Sequence, residues 1–173
     1  TYLDVTVTAY DTTNNTVSMD ITPKYNLIAV AKTGTDEKKV TLKSAQDAKV
    51  GSTEVQVTLP DAFKGKKVYI NHNNGANLYV ATADEDGKIT FTTNGFSPFT
   101  FALTNSDVVA EVNGNAYKSL QNAIDAAQTG ATIVLQKNCT EKVTVAGKSL
   151  TINRNGKTFN EANVTVGSNC TKE

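Results

Sequence analysis

The stretch Tyr117 to Gln136, YKSLQNAIDAAQTGATIVLQ, constrains this chain more than any other. Within it the apolar period changes from helical to extended. Tyr117, Leu120, Ala123, Ile124 and Ala127 fall on one stripe of a helix, and Ile133, Val134 and Leu135 follow as a short apolar strand. Ser119 is placed to act as N-cap, Gly130 stands where a left-handed C-terminal cap is wanted, and Asp125 and Gln128 face solvent. A helix that hands the chain straight to a strand separates two kinds of β structure, one before it and one after it.

Before it, apolar and polar residues alternate in short runs. YLDVTVTAYD places Leu3, Val5, Val7 and Ala9 on one face, and Val17, Met19 and Ile21 form a second strand that stops at Pro23, which cannot donate to a ladder. Asn26–Lys32, Lys39–Lys43, Glu54–Leu59, Lys67–His72, Leu78–Ala83, Ile89–Thr93 and Phe99–Leu103 complete nine strands. Turn signals separate them, among them Asn74-Gly75 and Asp86-Gly87. Many short antiparallel strands at regular spacing predict a β-sandwich over residues 1–105.

After a short linker at Asn105–Asp107, VVAEVNGNAY carries a strand and a tight turn at Asn113-Gly114. Beyond the helix, Lys142–Ala146, Ser149–Asn153 and Asn163–Gly167 are very short β-branched strands between polar corners. That pattern predicts successive rungs of a parallel β-solenoid over residues 106–173. An unfinished solenoid leaves its last strands with unpaired backbone groups, so the chain is expected either to be cut from a longer array or to pair that open edge with a second copy.

Two resemblances bear on this division. VYINHNNGANLYVATADEDGKITFTTNGFSPFTFAL, about Val68 to Leu103, resembles the closing strands of an immunoglobulin-like domain that recurs in large surface proteins of Gram-positive gut bacteria. YKSLQNAIDAAQTGATIVLQKNCTEKVTVAGKSLTINRNGKTF, about Tyr117 to Phe159, is similar to the start of right-handed parallel β-helix proteins of the pectin-lyase-like kind, with Ala131 where Asp is usual. In that family the helix caps the first open rung and active sites sit on later rungs. Together the resemblances imply an extracellular, non-catalytic module of a bacterial cell-surface protein, serving presentation or adhesion to host or dietary glycans or to a protein. The alternative they leave open is the N-terminal part of a carbohydrate-active β-helix enzyme, a polysaccharide lyase or hydrolase, whose active site lies outside this chain.

Composition narrows the partners. The chain balances 17 basic against 17 acidic side chains, so no global charge draws it to nucleic acid. No apolar run approaches the about eighteen residues of a membrane span, so membrane insertion is not expected. Thr1 without an initiator Met and the lack of a signal peptide suggest a mature or excised fragment. No Cys or His spacing suits zinc, and no cofactor is implied.

The chemistry-bearing residues are few. Asn71, His72, Asn73, Asn74 and Tyr79 form the densest polar and aromatic cluster. Amides and ring faces are what sugar hydroxyls and pyranose faces pair with, so this is the candidate ligand site; a hairpin tip rich in turn formers is the competing reading. Asp84, Glu85, Asp86 and Gly87 resemble part of a calcium loop but lack its remaining ligands, which favours a hairpin turn. Asp4, Asp11, Asp20 and Asp61 are the carboxylates from which an acid/base pair for glycoside cleavage would have to be drawn. Cys139 and Cys170 form a disulfide in an oxidising setting or remain buried thiols. An internal isopeptide link would need a buried Lys beside an Asn or Asp acceptor and a carboxylate.

Overall fold

The computed structural model describes residues 1–33 and 35–167. The protein is mainly β, 53% strand against 9% helix. The strands are β1 (Tyr2–Asp11), β2 (Thr16–Thr33), β3 (Asp36–Asp47), β4 (Thr53–Thr58), β5 (Lys67–His72), β6 (Asn77–Thr82), β7 (Lys88–Thr93) and β8 (Phe99–Ala102). After them come β9 (Ala110–Val112), β10 (Asn115–Tyr117), helix α1 (Leu120–Ala126), β11 (Thr132–Leu135), β12 (Val143–Val145), β13 (Thr151–Asn153) and β14 (Val164–Val166).

One sheet runs through most of the protein in the order β1-β2-β8-β5-β6-β10-β9-β11-β13, with β3 added on β2. The antiparallel pair β4–β7 lies against its first part. Val55 and Val57 of β4 and Ile89 and Phe91 of β7 share a core with Val17, Met19, Ile21, Ile70, Phe99 and Phe101 from the facing strands. The alternation in sequence produces this directly, since every second residue of these strands points into the core. The Phe99 and Phe101 rings sit 5.4 and 6.0 Å from that of Phe91, at edge-to-face angles.

Among the described residues eight strands form before residue 105, not nine, because Pro23 does not end the second one. β2 runs on through Pro23 as an 18-residue strand. Its neighbour on one side changes there: β8 pairs with Thr16–Met19, and β3 pairs from Lys24 onward. Between those partners Ser97 Oγ accepts from the Ile21 amide at 2.6 Å and donates to its carbonyl at 3.0 Å. The missing Pro23 donor therefore falls in a gap of the ladder, where no strand asks for it.

The second part has its own core, in which Leu120, Ala123 and Ile124 of α1 meet Ala110, Val112, Ile133, Leu135 and Val143. β9 and β10 form a hairpin whose turn has both central residues at positive φ, Asn113 at 51° and Gly114 at 74°. β11 pairs with β13, and β12 with β14, both in parallel. Among the described residues β13 and β14 each have one strand neighbour, so their outer edges are unpaired.

The helix is shorter than its apolar stripe. Tyr117 belongs to β10, Ser119 caps α1 by accepting from the Asn122 amide at 3.1 Å, and the chain turns extended at Ala127. Gly130, at φ 85°, lies in the following corner and does not cap the helix. That task falls to Lys148, whose ammonium donates to the carbonyls of Ile124, Asp125 and Ala127 at 2.8–3.1 Å. At the other end Glu141 accepts from the amides of Leu120 and Gln121 at 2.8 and 3.1 Å. A carboxylate at the N-terminus and an ammonium at the C-terminus complement the helix dipole, and both come from the segment that carries β12.

Candidate functional site

The five residues of the expected cluster do not converge. On β5 and β6, side chains alternate between the two sides of the sheet. His72 and Tyr79 point with Ile70 and Val68 into the space under β7, while Asn71 points the other way with Tyr69 and Leu78. His72 is buried, and its ring stacks on Phe99 at 4.6 Å. Its Nδ1 lies 3.5 Å from the Asn77 amide, and Nε2 has no hydrogen-bond partner within the protein. Gly95 makes room for this ring, since a Cβ there would fall 2.5 Å from His72 Cε1. The Tyr79 hydroxyl meets Thr93 Oγ1 at 3.0 Å. Asn73 is exposed, at φ 51°, in the 3-10 turn Asn73–Gly75. The side chain of Asn74 lies outside the described residues.

The side that Asn71 faces is where the two parts of the chain meet. Asn115 of β10 pairs with Tyr79 of β6, and the Val80 amide donates to the Gly114 carbonyl at 2.8 Å. Tyr69, Leu78, Val108 and Ala116 close over one another as a small core of their own. The apolar face of α1 packs within the second core and not at this seam.

Beside this seam lies a cleft of about 260 Å³, lined by Gly75, Asn77, Asn115, Tyr117, Lys118 and Asn122, among others. Residues from both parts of the chain thus line one space, Asn122 and the Lys118 ammonium among them, while the Asn77 side-chain amide lies with His72 on the other side of the sheet from Asn71. Asn71 Oδ1 is buried behind it without a partner, 3.9 Å from the position of a Cβ on Gly75. Lys118 also holds Asp107 at 3.2 Å, and burial raises the Tyr117 phenol above its ordinary value. Such a set can donate to and accept from vicinal hydroxyls or hold a carboxylate.

Across the sheet edge from the cleft, Glu111 of β9 ties the parts together. Its Oε1 accepts from Lys67 Nζ and from the Tyr69 hydroxyl, both at 2.8 Å, and Lys67 also donates to Gln136 Oε1 at 3.0 Å. Burial opposes the charge on Lys67, but the hydrogen bonds to Glu111 and Tyr69 prevail and raise its pKa.

The remaining candidates resolve simply. Asp84 Oδ1 accepts from the amides of Asp86 and Lys88 at 2.9 and 2.8 Å, which makes the acidic run a hairpin turn. No group of three or more metal-ligating side chains occurs among the described residues. Asp11 caps its turn through the Asn14 side chain and backbone, Asp61 pairs with Lys64, and Asp4 and Asp20 stand exposed on the outer side of β1 and β2. Cys139 is buried beside Phe159, and Cys170 lies outside the described residues, as does the disulfide expected between them. Among the described residues no helix is long and apolar enough to cross a membrane.

The sequence pattern missed Lys67, Glu111, Asn115, Lys118 and Asn122. They lie on separate strands, a turn and, for Asn122, helix α1, and the pairing of β6 with β10 joins the two parts of the chain that carry them. No protein-family model, no curated protein and no solved structure matches this chain.

Proposed function

We propose that the chain is a non-catalytic module of an extracellular bacterial surface protein, with a glycan or a protein as its ligand. In this reading residues 1–105 are an immunoglobulin-like sandwich and residues 106–173 the capped beginning of a pectin-lyase-like β-helix. Two facing sheets support the first part, with the GFSPFTF segment contributing β8 between β2 and β5. Support for the second comes from α1 lying over β12 and from the parallel pairs Thr132 with Thr151 and Val143 with Val164, a repeat of about twenty residues.

The observation that carries the binding role is the cleft at the seam. Residues of β6, β10 and α1 line it together with Lys118 and Tyr117. The matching test is an NMR titration against neutral and uronic oligosaccharides, following the side-chain amides of Asn77, Asn115 and Asn122. Binding should move these resonances and leave those of the exposed Asn14 in place. A panel that moves none of them removes the glycan reading.

A further inference from the structure

The sequence holds four Asn-Gly pairs: Asn74-Gly75, Asn94-Gly95, Asn113-Gly114 and Asn155-Gly156. At such a pair the asparagine carboxamide can react with the chain itself, because glycine has no Cβ to shield its backbone nitrogen. What holds the two reacting groups, the Asn carboxamide and the Gly N–H, differs from pair to pair. At Asn94-Gly95 the Gly95 amide donates to Thr93 Oγ1 at 3.2 Å, and the residue is wedged against the His72 ring, where a Cβ would fall 2.5 Å from Cε1. At Asn155-Gly156 the carboxamide is tied, its Nδ2 donating to the Leu135 carbonyl of β11 at 3.1 Å. Gly75 ends the 3-10 turn Asn73–Gly75, which the Ala76 amide closes by donating to the Asn73 carbonyl at 3.3 Å.

At Asn113-Gly114 neither group is held. Both residues are exposed. Among the described residues the Asn113 side chain makes no hydrogen bond and the Gly114 amide has no acceptor. Only the carbonyls of this turn are used: that of Asn113 accepts from Asn115 Nδ2 at 3.1 Å, and that of Gly114 from the Val80 amide at 2.8 Å.

The same turn carries the backbone contact between the two cores. The hydrogen bond from Val80 to Gly114 and the pairing of Asn115 with Tyr79 are what join β10 to β6. The pair with the freest reacting groups therefore sits where the sheet passes from one part of the chain to the other.

We propose that Asn113 is a self-modification site, and that its conversion to aspartate and isoaspartate loosens the seam. The Gly114 nitrogen gives its proton to water or hydroxide and attacks Asn113 Cγ. The new C–N bond closes a succinimide ring, the Cγ–Nδ2 bond breaks, and the nitrogen leaves as ammonia with a proton returned from solvent. Water then opens the ring at either carbonyl, so that overall water enters and ammonia departs. Opening at the backbone carbonyl leaves an isoaspartyl link, in which the chain runs through the former side chain and is longer by a carbon. A two-residue hairpin turn has no slack for that carbon. The Gly114 carbonyl is then drawn off Val80, and the pair of Asn115 with Tyr79 opens with it.

The test is peptide mapping of the intact, folded chain during incubation in mildly alkaline buffer, with hydrogen exchange read on the same samples. Conversion should appear first at Asn113, ahead of Asn74, Asn94 and Asn155, with isoaspartate among the products. The Val80 amide should lose protection in step with it. Asn113→Gly supplies a residue that the turn accepts but that has no carboxamide, so this variant, incubated alongside, should keep its Val80 protection. Conversion that starts at any of the other three pairs overturns the proposal, and so does a converted chain whose Val80 amide stays protected.

Discussion

Ile124→Ala separates a protein of two cores from one that melts as a unit. Ile124 is 1% exposed and sits between Leu120, Ile133 and Leu135 in the second core. Truncating a buried Ile to Ala costs about 2–5 kcal/mol, and the cost is highest where the surroundings cannot close over the cavity. Here they cannot close easily, because Glu141 and Lys148 pin both ends of α1 to the segment that carries β12. A loss of about 3–5 kcal/mol is therefore expected, a large part of the 5–15 kcal/mol that a whole domain has. The seam between the cores is slight by comparison: four side chains, one strand pair at Asn115 and the carboxylate of Glu111. In native-state hydrogen exchange the amides of β11 and β12 should lose protection by the full amount while those of β5 and β8 keep most of theirs. Ile124→Val, which costs about 0.5–1.5 kcal/mol, should give a proportionally smaller effect. Equal loss of protection in β8 and β11 would refute the argument, since it would mean that the seam couples the cores more strongly than the second core holds itself.

Three further outcomes follow from particular contacts. Glu141→Ala leaves the amides of buried Leu120 and of Gln121 without their acceptor and should destabilise the second part by about 2–3 kcal/mol, with Glu141→Gln intermediate because its amide oxygen still accepts; chemical denaturation followed by a probe in β11 measures it. Gly95→Ala should cost about 1–3 kcal/mol by pressing on the His72 ring, and most of that cost should vanish in a His72→Ala background, which a double-mutant cycle reads directly. Burial and the hydrogen bond to Glu111 raise the Tyr69 phenol above its ordinary 10.0, and hydrogen bonds to Glu111 and Tyr69, against burial, raise Lys67 above 10.5. Both folded values lie above the unfolded ones, so this stabilisation is whole below about pH 10 and is lost as pH rises through the folded values. The denaturation midpoint should fall on the alkaline side, less steeply in Tyr69→Phe, and a midpoint that is flat there in the wild type would contradict the assignment.

Much of the strand structure is legible in the sequence because it rests on local rules. Period-two alternation places β1, β5, β7 and β8, and the Asn113-Gly114 pair marks its hairpin by the positive φ its turn requires. The failures occur where a distant group replaces a local signal. Pro23 reads as a stop because nothing nearby reveals that Ser97, 76 residues away, serves Ile21 in the gap between two partners. Gly130 reads as the helix cap because nothing nearby reveals that Lys148 takes the last carbonyls of α1.

The candidate site shows the same limit more sharply. Alternation already separates Asn71 from His72, since neighbours on a strand point to opposite sides, and a run dense in polar residues is therefore two half-sets with a sheet between them. What alternation cannot supply is the other half of the set that Asn71 joins. Asn115, Lys118 and Asn122 come to line one cleft with residues of β6 only because β10 meets β6 at one residue pair, and no local pattern in either strand encodes that meeting. A contact so brief leaves the backbone groups around it open, which is why a cleft forms at the seam and not a continuous wall. The polar residues that line it are therefore placed by the junction of the two cores, and a change that loosens the seam, such as Glu111→Ala, should weaken any ligand held there without touching a residue of the cleft.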